Sequence, residues 1–230
     1  MSFLQQALAV AAKDLRIELR GRYAAGVVLP FACTQLIAFG LSLGPGRTLL
    51  QATAPALLWL AVLFAAVLAF RGAYEAEGED GALEGLLLAS VDKAAVFVGK
   101  AAAVVVQLLA LEVVVVMLTA VLFGVVSAGG AVGLAAALEL VAAMTLGTVG
   151  LAALGSLFGV LTEAARAREA VFPLLILPLT TPVLVAGVRA TALVQAGHPE
   201  DAASWLGLLL VFDVVFLSAG ALLFGHLLED

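Results

Sequence analysis

Six long apolar stretches constrain the fold of this chain more than any other feature of its sequence. A helix needs about 20 mostly apolar residues to cross a bilayer, because each residue adds about 1.5 Å against a hydrocarbon core of about 30 Å. Turn-forming residues such as Gly44-Pro45-Gly46 separate the stretches, and the alternating polar pattern of a membrane barrel is absent. The sequence therefore predicts an all-α membrane protein of one domain, 1–230. Its six transmembrane helices are expected at roughly 23–43, 52–70, 94–126, 131–161, 170–190 and 203–227.

The composition excludes several classes of protein. Hydrophobic residues make up 64% of the chain and charged residues 12%, whereas a soluble domain carries about 25% charged residues. A soluble globular enzyme or a disordered chain is therefore excluded. The net charge of −6 argues against a nucleic-acid partner. The single cysteine, Cys33, excludes a disulfide framework and a multi-cysteine metal site.

The first segment, 2–22, differs from the apolar stretches because it is amphipathic. Leucines and an alanine recur at helical spacing from Leu4 to Leu19, and charged residues follow from Lys13 to Arg22. In a signal peptide the charges would precede the apolar stretch, and a cleavage site would follow it. The segment is therefore predicted to be an interfacial helix that lies on the membrane before the first span.

The basic residues predict the orientation of the chain. Nine of the eleven fall on one predicted side of the membrane, and only Arg47 and Arg189 fall on the other. The positive-inside rule then places both termini in the cytoplasm. The nine are Lys13, Arg16, Arg20, Arg22, Arg71, Lys93, Lys100, Arg166 and Arg168.

One predicted cytoplasmic loop, 71–93, is long enough to build a docking element. An acidic stretch that ends at Asp80 runs into leucines from Leu83 to Leu88, which favours a short amphipathic helix with acids at its start. Such a helix docks into the groove of a soluble partner in one interpretation. In the other, the loop is solvated and its leucine edge rests on the bilayer. The residues alone leave both open.

Three acidic residues lie inside predicted spans: Glu112, Glu139 and Asp213. A charged group at the bilayer centre is costly, so each needs a partner, water or a proton. They form a polar translocation path or proton relay in one interpretation. In the other, which we favour, they are structural: protonated, or, as fits Glu139 best, close to an interface.

Prolines and glycines mark two further spans. Pro178 and Pro182 each remove a helical hydrogen bond from span five, so they are candidate hinges of a pathway unless neighbouring helices accommodate them. Small residues in span four favour close helix packing, within the subunit or across a dimer. These residues are Gly147, Gly150, Gly155 and Gly159.

Several motifs together resemble the heme exporter protein B (CcmB) family, the membrane subunit of the cytochrome c maturation ABC transporter. Asp80-Gly81-Ala82-Leu83-Glu84 with the leucines after it, up to Gly99-Lys100, looks like the coupling segment of exporter-type (ABC-2-like) permeases. The family likeness extends to three further motifs. These are Leu41-Ser42-Leu43-Gly44-Pro45, Ala54-Pro55-Ala56-Leu57-Leu58-Trp59 and Leu177-Pro178-Leu179-Thr180-Thr181-Pro182.

The resemblance implies a transport subunit in the bacterial inner membrane, with a coupling segment that contacts a separate ATPase. The coupling residues it implies are Gly81, Leu83, Glu84, Leu86 and Leu87. The implied partners are an ABC ATPase (CcmA-like) that binds the ATP, a heme-handling membrane protein (CcmC-like), membrane lipid and a second copy of this chain. The chain itself has no phosphate-binding G-x-x-x-x-G-K-[ST] motif and is not expected to be an enzyme.

Heme is the implied cargo, whether exported itself or released with a loaded chaperone. No cofactor bound by this chain is expected, because it lacks a Cys-x-x-Cys-His motif for heme attachment. His198 and His226 could serve as axial ligands, but a loop histidine and an interfacial histidine are the favoured interpretations. Two alternatives remain: an ABC-2 permease for a drug, lipid or polysaccharide, and a proton-coupled secondary transporter, for which the expected inverted repeat is not evident.

Overall fold

The computed structural model describes residues 2–80, 92–124, 133–163 and 168–227, and these residues form helices joined by short connections. A π-helical turn, Ala24–Val28, leads into the second helix, and a 3-10 turn, Pro199–Ala202, precedes the last. Six helical stretches in this part of the chain are long and apolar enough to cross a membrane. The predicted fold class and number of spans are confirmed. The helices are α1 (Phe3–Gly21), α2 (Leu29–Leu43), α3 (Arg47–Asp80), α4 (Lys93–Phe123), α5 (Leu134–Glu163), α6 (Arg168–Gln195) and α7 (Ala203–Leu227).

The predicted N-terminal helix is present and has defined ends. Ser2 and Gln5 form a capping box, in which each side chain accepts a hydrogen bond from the backbone N–H of the other residue. Arg22 adopts a left-handed conformation with φ of 54° and ends the helix. The Glu18 carboxylate then accepts a hydrogen bond from the Ala24 N–H at 2.6 Å. These contacts separate α1 from the π-helical turn that opens the first span.

The two faces of α1 have different surroundings. Ala7, Val10 and Ala11 are buried against the bundle. Large apolar side chains on the rest of the helix are exposed, which suits a helix with one edge toward lipid. These side chains are Phe3, Leu4, Leu8, Ile17 and Leu19.

Two helices are longer than the sequence predicted. The acidic residues expected in a loop after Phe70 continue α3 as helix to Asp80, because Ala and Glu favour helix and no proline interrupts them. Helix α6 runs to Gln195, five residues beyond the predicted end of span five at 190. The chain leaves α6 only where Gly197 takes a φ of 85°, a conformation open to glycine.

Helix α5 is central, because it packs against α3, α4, α6 and α7. Its glycines make these contacts close: Gly147 lies against the Trp59 ring and Gly155 against the Phe70 ring. A Cβ at Gly150 would lie 2.7 Å from Oδ1 of Asp213. Close packing within the subunit, one of the two packing modes predicted for these glycines, is confirmed at three of the four positions. Gly159 lies beyond the residues whose packing is described.

Candidate functional site

The coupling residues expected from the sequence lie outside the described residues, but both ends of their segment are described. Gly81, Leu83, Glu84, Leu86 and Leu87 all fall within 81–91. Helix α3 enters the segment at Asp80, and α4 leaves it after Asp92. The Asp92 carboxylate caps α4 by accepting a hydrogen bond from the Ala94 N–H at 2.9 Å.

Helix α1 contacts the end of this segment, where α4 begins. Oε1 of Gln6 accepts a hydrogen bond from the backbone N–H of Asp92 at 2.9 Å. Two turns into α4, a Cβ at Gly99 would lie 2.6 Å from the Ala7 carbonyl oxygen and 2.8 Å from the Val10 Cβ. The two helices therefore touch backbone to backbone just after the segment ends. No sequence pattern points to Gln6, because a lone amide on an amphipathic helix is ordinarily solvated.

A buried lysine reinforces the same contact. Lys100 is almost fully buried, and its Nζ lies 3.7 Å from Oδ2 of Asp14 on α1. Oδ1 of the same carboxylate lies 2.9 Å from Nζ of Lys13. A buried ion pair is costly to break, since loss of one partner leaves a charge in a poorly solvated site. Asp14 and Lys100 thus join the interfacial helix to the start of the third span.

An apolar cluster lies beside this junction and connects four helices. It contains Val10 of α1, Phe97 of α4, Leu157 of α5 and Phe224 of α7. The Phe97 and Phe224 rings have centroids 5.5 Å apart. We call this end of the bundle the α1 end. A displacement of α1 or of the start of α4 would be transmitted through these contacts to α5 and α7.

The acidic residues of the spans lie on different helices around α5. Glu112 on α4 is buried, and its Oε1 accepts a hydrogen bond from the Thr148 hydroxyl of α5. Asp213 on α7 is buried against Gly150 of α5. Glu139 is half-buried and lies five residues after the start of α5, Leu134. A position close to a helix end fits the interfacial interpretation of Glu139.

The two span-five prolines lie in a helix that continues through them. Pro178 and Pro182 are both exposed, while Thr180 between them is buried. The Thr180 hydroxyl donates to the Leu177 carbonyl at 2.9 Å, and the Thr181 hydroxyl donates to the same oxygen at 3.4 Å. Hydroxyl bonds of this kind, to a carbonyl three or four residues earlier, often bend a helix. A hinge at these prolines stays a prediction.

Comparison with known proteins relates the whole chain to one family. The family model described as CcmB protein matches residues 5–229. The chain belongs to the CcmB family. It is 29% identical over 218 residues to heme exporter protein B of Bradyrhizobium diazoefficiens, with 92% of each chain covered. It is 31% identical over 199 residues to heme exporter protein B of Pseudomonas aeruginosa, with 84% of this chain and 85% of that protein covered.

In this CcmB family chain the motif around Trp59 has a clear structural role that the sequence did not reveal. Trp59 is fully buried against Gly147 and Gly187, and its Nε1–H donates to the Thr191 hydroxyl at 2.9 Å. Pro55 lies one turn earlier in α3. A tryptophan ring lodged between two glycines lets α3, α5 and α6 approach closely.

Two glutamines tie helix ends together at the other end of the bundle. Nε2 of Gln195 donates to the Gln51 carbonyl at 2.7 Å, and Nε2 of Gln51 donates to the Gly124 carbonyl at 2.9 Å. These bonds connect α3 with the ends of α4 and α6. We call this the glutamine end of the CcmB bundle.

The described histidine, His198, is not part of a buried ligand site. His198 is exposed after α6, with its Nδ1 3.6 Å from Oε1 of Glu200. Ligand atoms of His198, Glu200 and Asp201 lie within 4.8 Å of one another, all on exposed side chains. The interpretation of His198 as an exposed loop residue is confirmed. The side chain of His226 lies outside the described residues.

Proposed function

We propose that this chain is the membrane permease subunit of an ABC transporter for cytochrome c maturation, acting in heme export or in ATP-driven release of a heme-loaded chaperone. The observation that carries this proposal is the family match over residues 5–229, together with relatives named heme exporter protein B. The six apolar helices supply the membrane-embedded body that such a subunit needs.

The remaining machinery belongs to partners in this proposal. The sequence has no phosphate-binding loop, so ATP binds to a separate CcmA-like ATPase and this chain performs no hydrolysis of its own. A CcmC-like membrane protein handles heme, and heme is cargo instead of a resident cofactor. Two copies of the chain sit over two ATPases in the bacterial inner membrane, with both termini in the cytoplasm.

The described contacts support transmission from the coupling segment into the bundle. Helix α3 reaches Asp80 without a break, so it carries motion directly from the segment into the membrane. At the exit, Gln6 and the Asp14–Lys100 ion pair connect α4 with α1. A push on the segment therefore displaces α3, α4 and α1, and the apolar cluster at the α1 end passes the displacement to α5 and α7.

Within the bundle, Pro178 and Pro182 are the proposed hinge. Prolines weaken α6 locally, which lets its two halves reorient at a small energetic cost. Glu112 and Asp213 are the proposed polar groups along the translocation path, because they are the carboxylates buried deepest among the described residues.

Docking of the ATPase is tested by substitutions in the coupling segment. Apolar anchors usually dominate such interfaces, each losing at least about 1 kcal/mol when truncated. Replacing both Leu83 and Leu87 with Asp should abolish co-purification of the ATPase and leave membrane insertion intact. Glu84→Ala should keep the complex assembled but lower ATP-driven transport per ATP hydrolysed.

The matched control is Glu77→Ala, which removes a carboxylate from the end of α3, before the coupling segment. It should leave both assembly and transport near the wild-type level. If the Leu83/Leu87 variant binds the ATPase with unchanged affinity, docking occurs elsewhere. The charged part of α1, from Lys13 to Arg22, would then be the next surface to test.

A further inference from the structure

Two carboxyl groups in the middle of the bundle lack the partners that a buried charge requires. Glu112 is 4% exposed and Asp213 is 3% exposed. Oε2 of Glu112 and both carboxyl oxygens of Asp213 are buried and have no hydrogen-bond partner among the described residues. Neither group takes part in an ion pair within the part of the chain that the structure describes.

Among the described residues, no basic side chain forms an ion pair with these carboxyls. Lys100 lies on the same helix as Glu112, but twelve residues away, which is about 18 Å along the helix axis. Its Nζ is directed to Asp14 on α1. Arg189 on α6 is exposed. Glu139 on α5 is half-buried near the start of that helix, and its Oε2 also has no hydrogen-bond partner among the described residues. Within the part of the chain that the structure describes, positive charge therefore does not offset ionisation of Glu112 or Asp213.

The hydrogen bonds that these two groups accept are too few to stabilise an ionised carboxylate. Glu112 accepts one hydrogen bond, from the neutral Thr148 hydroxyl. Asp213 lies beside Gly150 of α5, where a Cβ would come within 2.7 Å of its Oδ1, and it accepts no hydrogen bond from the described residues. An isolated carboxylate in an apolar surrounding costs many kcal/mol, and a group in that position takes up a proton instead.

The positions of the two contacts on α5 separate the two sites. Thr148 and Gly150 are two residues apart, so they point to nearly opposite sides of the helix. Glu112 and Asp213 consequently approach α5 from different sides. A metal ion shared between the two carboxylates is not favoured by this arrangement, whereas one proton on each group needs no additional ligand or space.

We propose that Glu112 and Asp213 are two independent proton-binding sites in the membrane-embedded bundle, each occupied in the described conformation. The inference does not depend on the proposed heme-linked function. Separation of α7 or α4 from α5 would admit water to the carboxyls and allow each proton to leave. The sites would therefore report, and respond to, opening of the bundle around α5.

Infrared spectroscopy of the purified chain in lipid tests the proposal, because a protonated carboxyl has a C=O stretching band that a carboxylate lacks. Glu112→Gln and Asp213→Asn should each remove one protonated carboxyl from the spectrum, and the double variant should remove both. Glu200→Gln is the matched control, because that carboxylate is exposed, and it should leave that part of the spectrum unchanged. The proposal is overturned if wild type and the double variant have the same protonated-carboxyl absorption.

A second measurement needs no substitution and so does not depend on the variants folding. A membrane-soluble carbodiimide reacts with protonated carboxyls in apolar surroundings, and mass spectrometry of the wild-type chain locates the adducts. Labelling at Glu112 or Asp213 supports the proposal. Labelling confined to other carboxyls, together with an infrared spectrum that lacks the protonated band, contradicts it.

Discussion

A proline inside a helix leaves a carbonyl oxygen without its usual donor, and in this chain a glutamine from another helix supplies one. Pro55 has no N–H for the carbonyl of Gln51, four residues earlier in α3. Nε2 of Gln195 donates to that oxygen at 2.7 Å. The hydrogen bond from Gln195 to Gln51 therefore satisfies the carbonyl that Pro55 leaves without a donor, and it also connects α6 with α3.

This hydrogen bond predicts that Pro55→Ala reduces the destabilisation caused by Gln195→Ala. Gln195→Ala should lower the melting temperature of the purified protein, with a loss of about 1 kcal/mol in the free energy of unfolding, because a partly buried carbonyl loses its donor. Adding Pro55→Ala restores a backbone N–H for Gln51, so the loss caused by Gln195→Ala should be much smaller in that background. Thermal unfolding of wild type, both single variants and the double variant gives the coupling energy.

The control for this cycle is Gln107→Ala on α4. Its amide nitrogen is buried without a hydrogen-bond partner among the described residues, so its removal should cost little. If Gln195→Ala lowers the free energy of unfolding equally in wild type and in Pro55→Ala, the bond to Gln51 does not compensate for the missing N–H of Pro55.

At the scale of elements, the contact between α1 and α4 is the one that links an interfacial helix to the bundle. Gly99 makes the close approach of the two helices possible. The hydrogen bond from the Asp92 N–H to Gln6 lies at one end of this contact, where segment 81–91 ends. The exposed apolar side chains of α1 lie away from α4, on the part of the helix that we expect to contact the membrane surface. Helix α1 therefore packs on α4 along one edge and exposes apolar side chains along the other.

A larger side chain at position 99 should displace α1 from α4. In Gly99→Leu the new side chain would overlap the Ala7 carbonyl and Val10, so α1 should move away from α4. The measurement is cross-linking between cysteines placed at Gln6 and Asp92 in a background where Cys33 is Ser. The yield should fall several-fold in Gly99→Leu.

Gly207→Leu is the matched control, because a Cβ there meets nothing within 4 Å. It should leave the cross-linking yield unchanged. An undiminished yield in Gly99→Leu would mean that α1 does not need the close contact at Gly99.

At the scale of the whole molecule, an even number of spans places both ends of the chain on one side of the membrane. The basic residues then predict that this side is the cytoplasm, since nine of eleven cluster there. Reporter proteins fused after Asp230, or inserted near Gly78, should report a cytoplasmic location. Insertions near Gly46 or His198 should report the opposite side. An extracytoplasmic signal from the Asp230 fusion would mean that the number of spans is odd.

Local patterns were sufficient for the fold class, the six spans and the amphipathic first helix. Hydrophobic length is a property of consecutive residues, and a bilayer imposes nearly the same length on every spanning helix. The ends of the helices were harder to predict. Helix α3 continues to Asp80 because glutamate and alanine are good helix formers, although a charged stretch after an apolar span is also typical of a loop.

The sequence by itself determined which segments enter the membrane, and only the tertiary structure decided which residues meet there. Nothing in the spacing of Pro55 and Gln195, or of Gln6 and Asp92, announces a contact, because these residues lie far apart in the chain. The glycines of α5 predicted close packing, but their partners Trp59, Phe70 and Asp213 come from other helices. Burial of Glu112 and Asp213 likewise depends on how helices rotate against α5, and helix rotation is set by packing between segments and not by the hydropathy of any one of them.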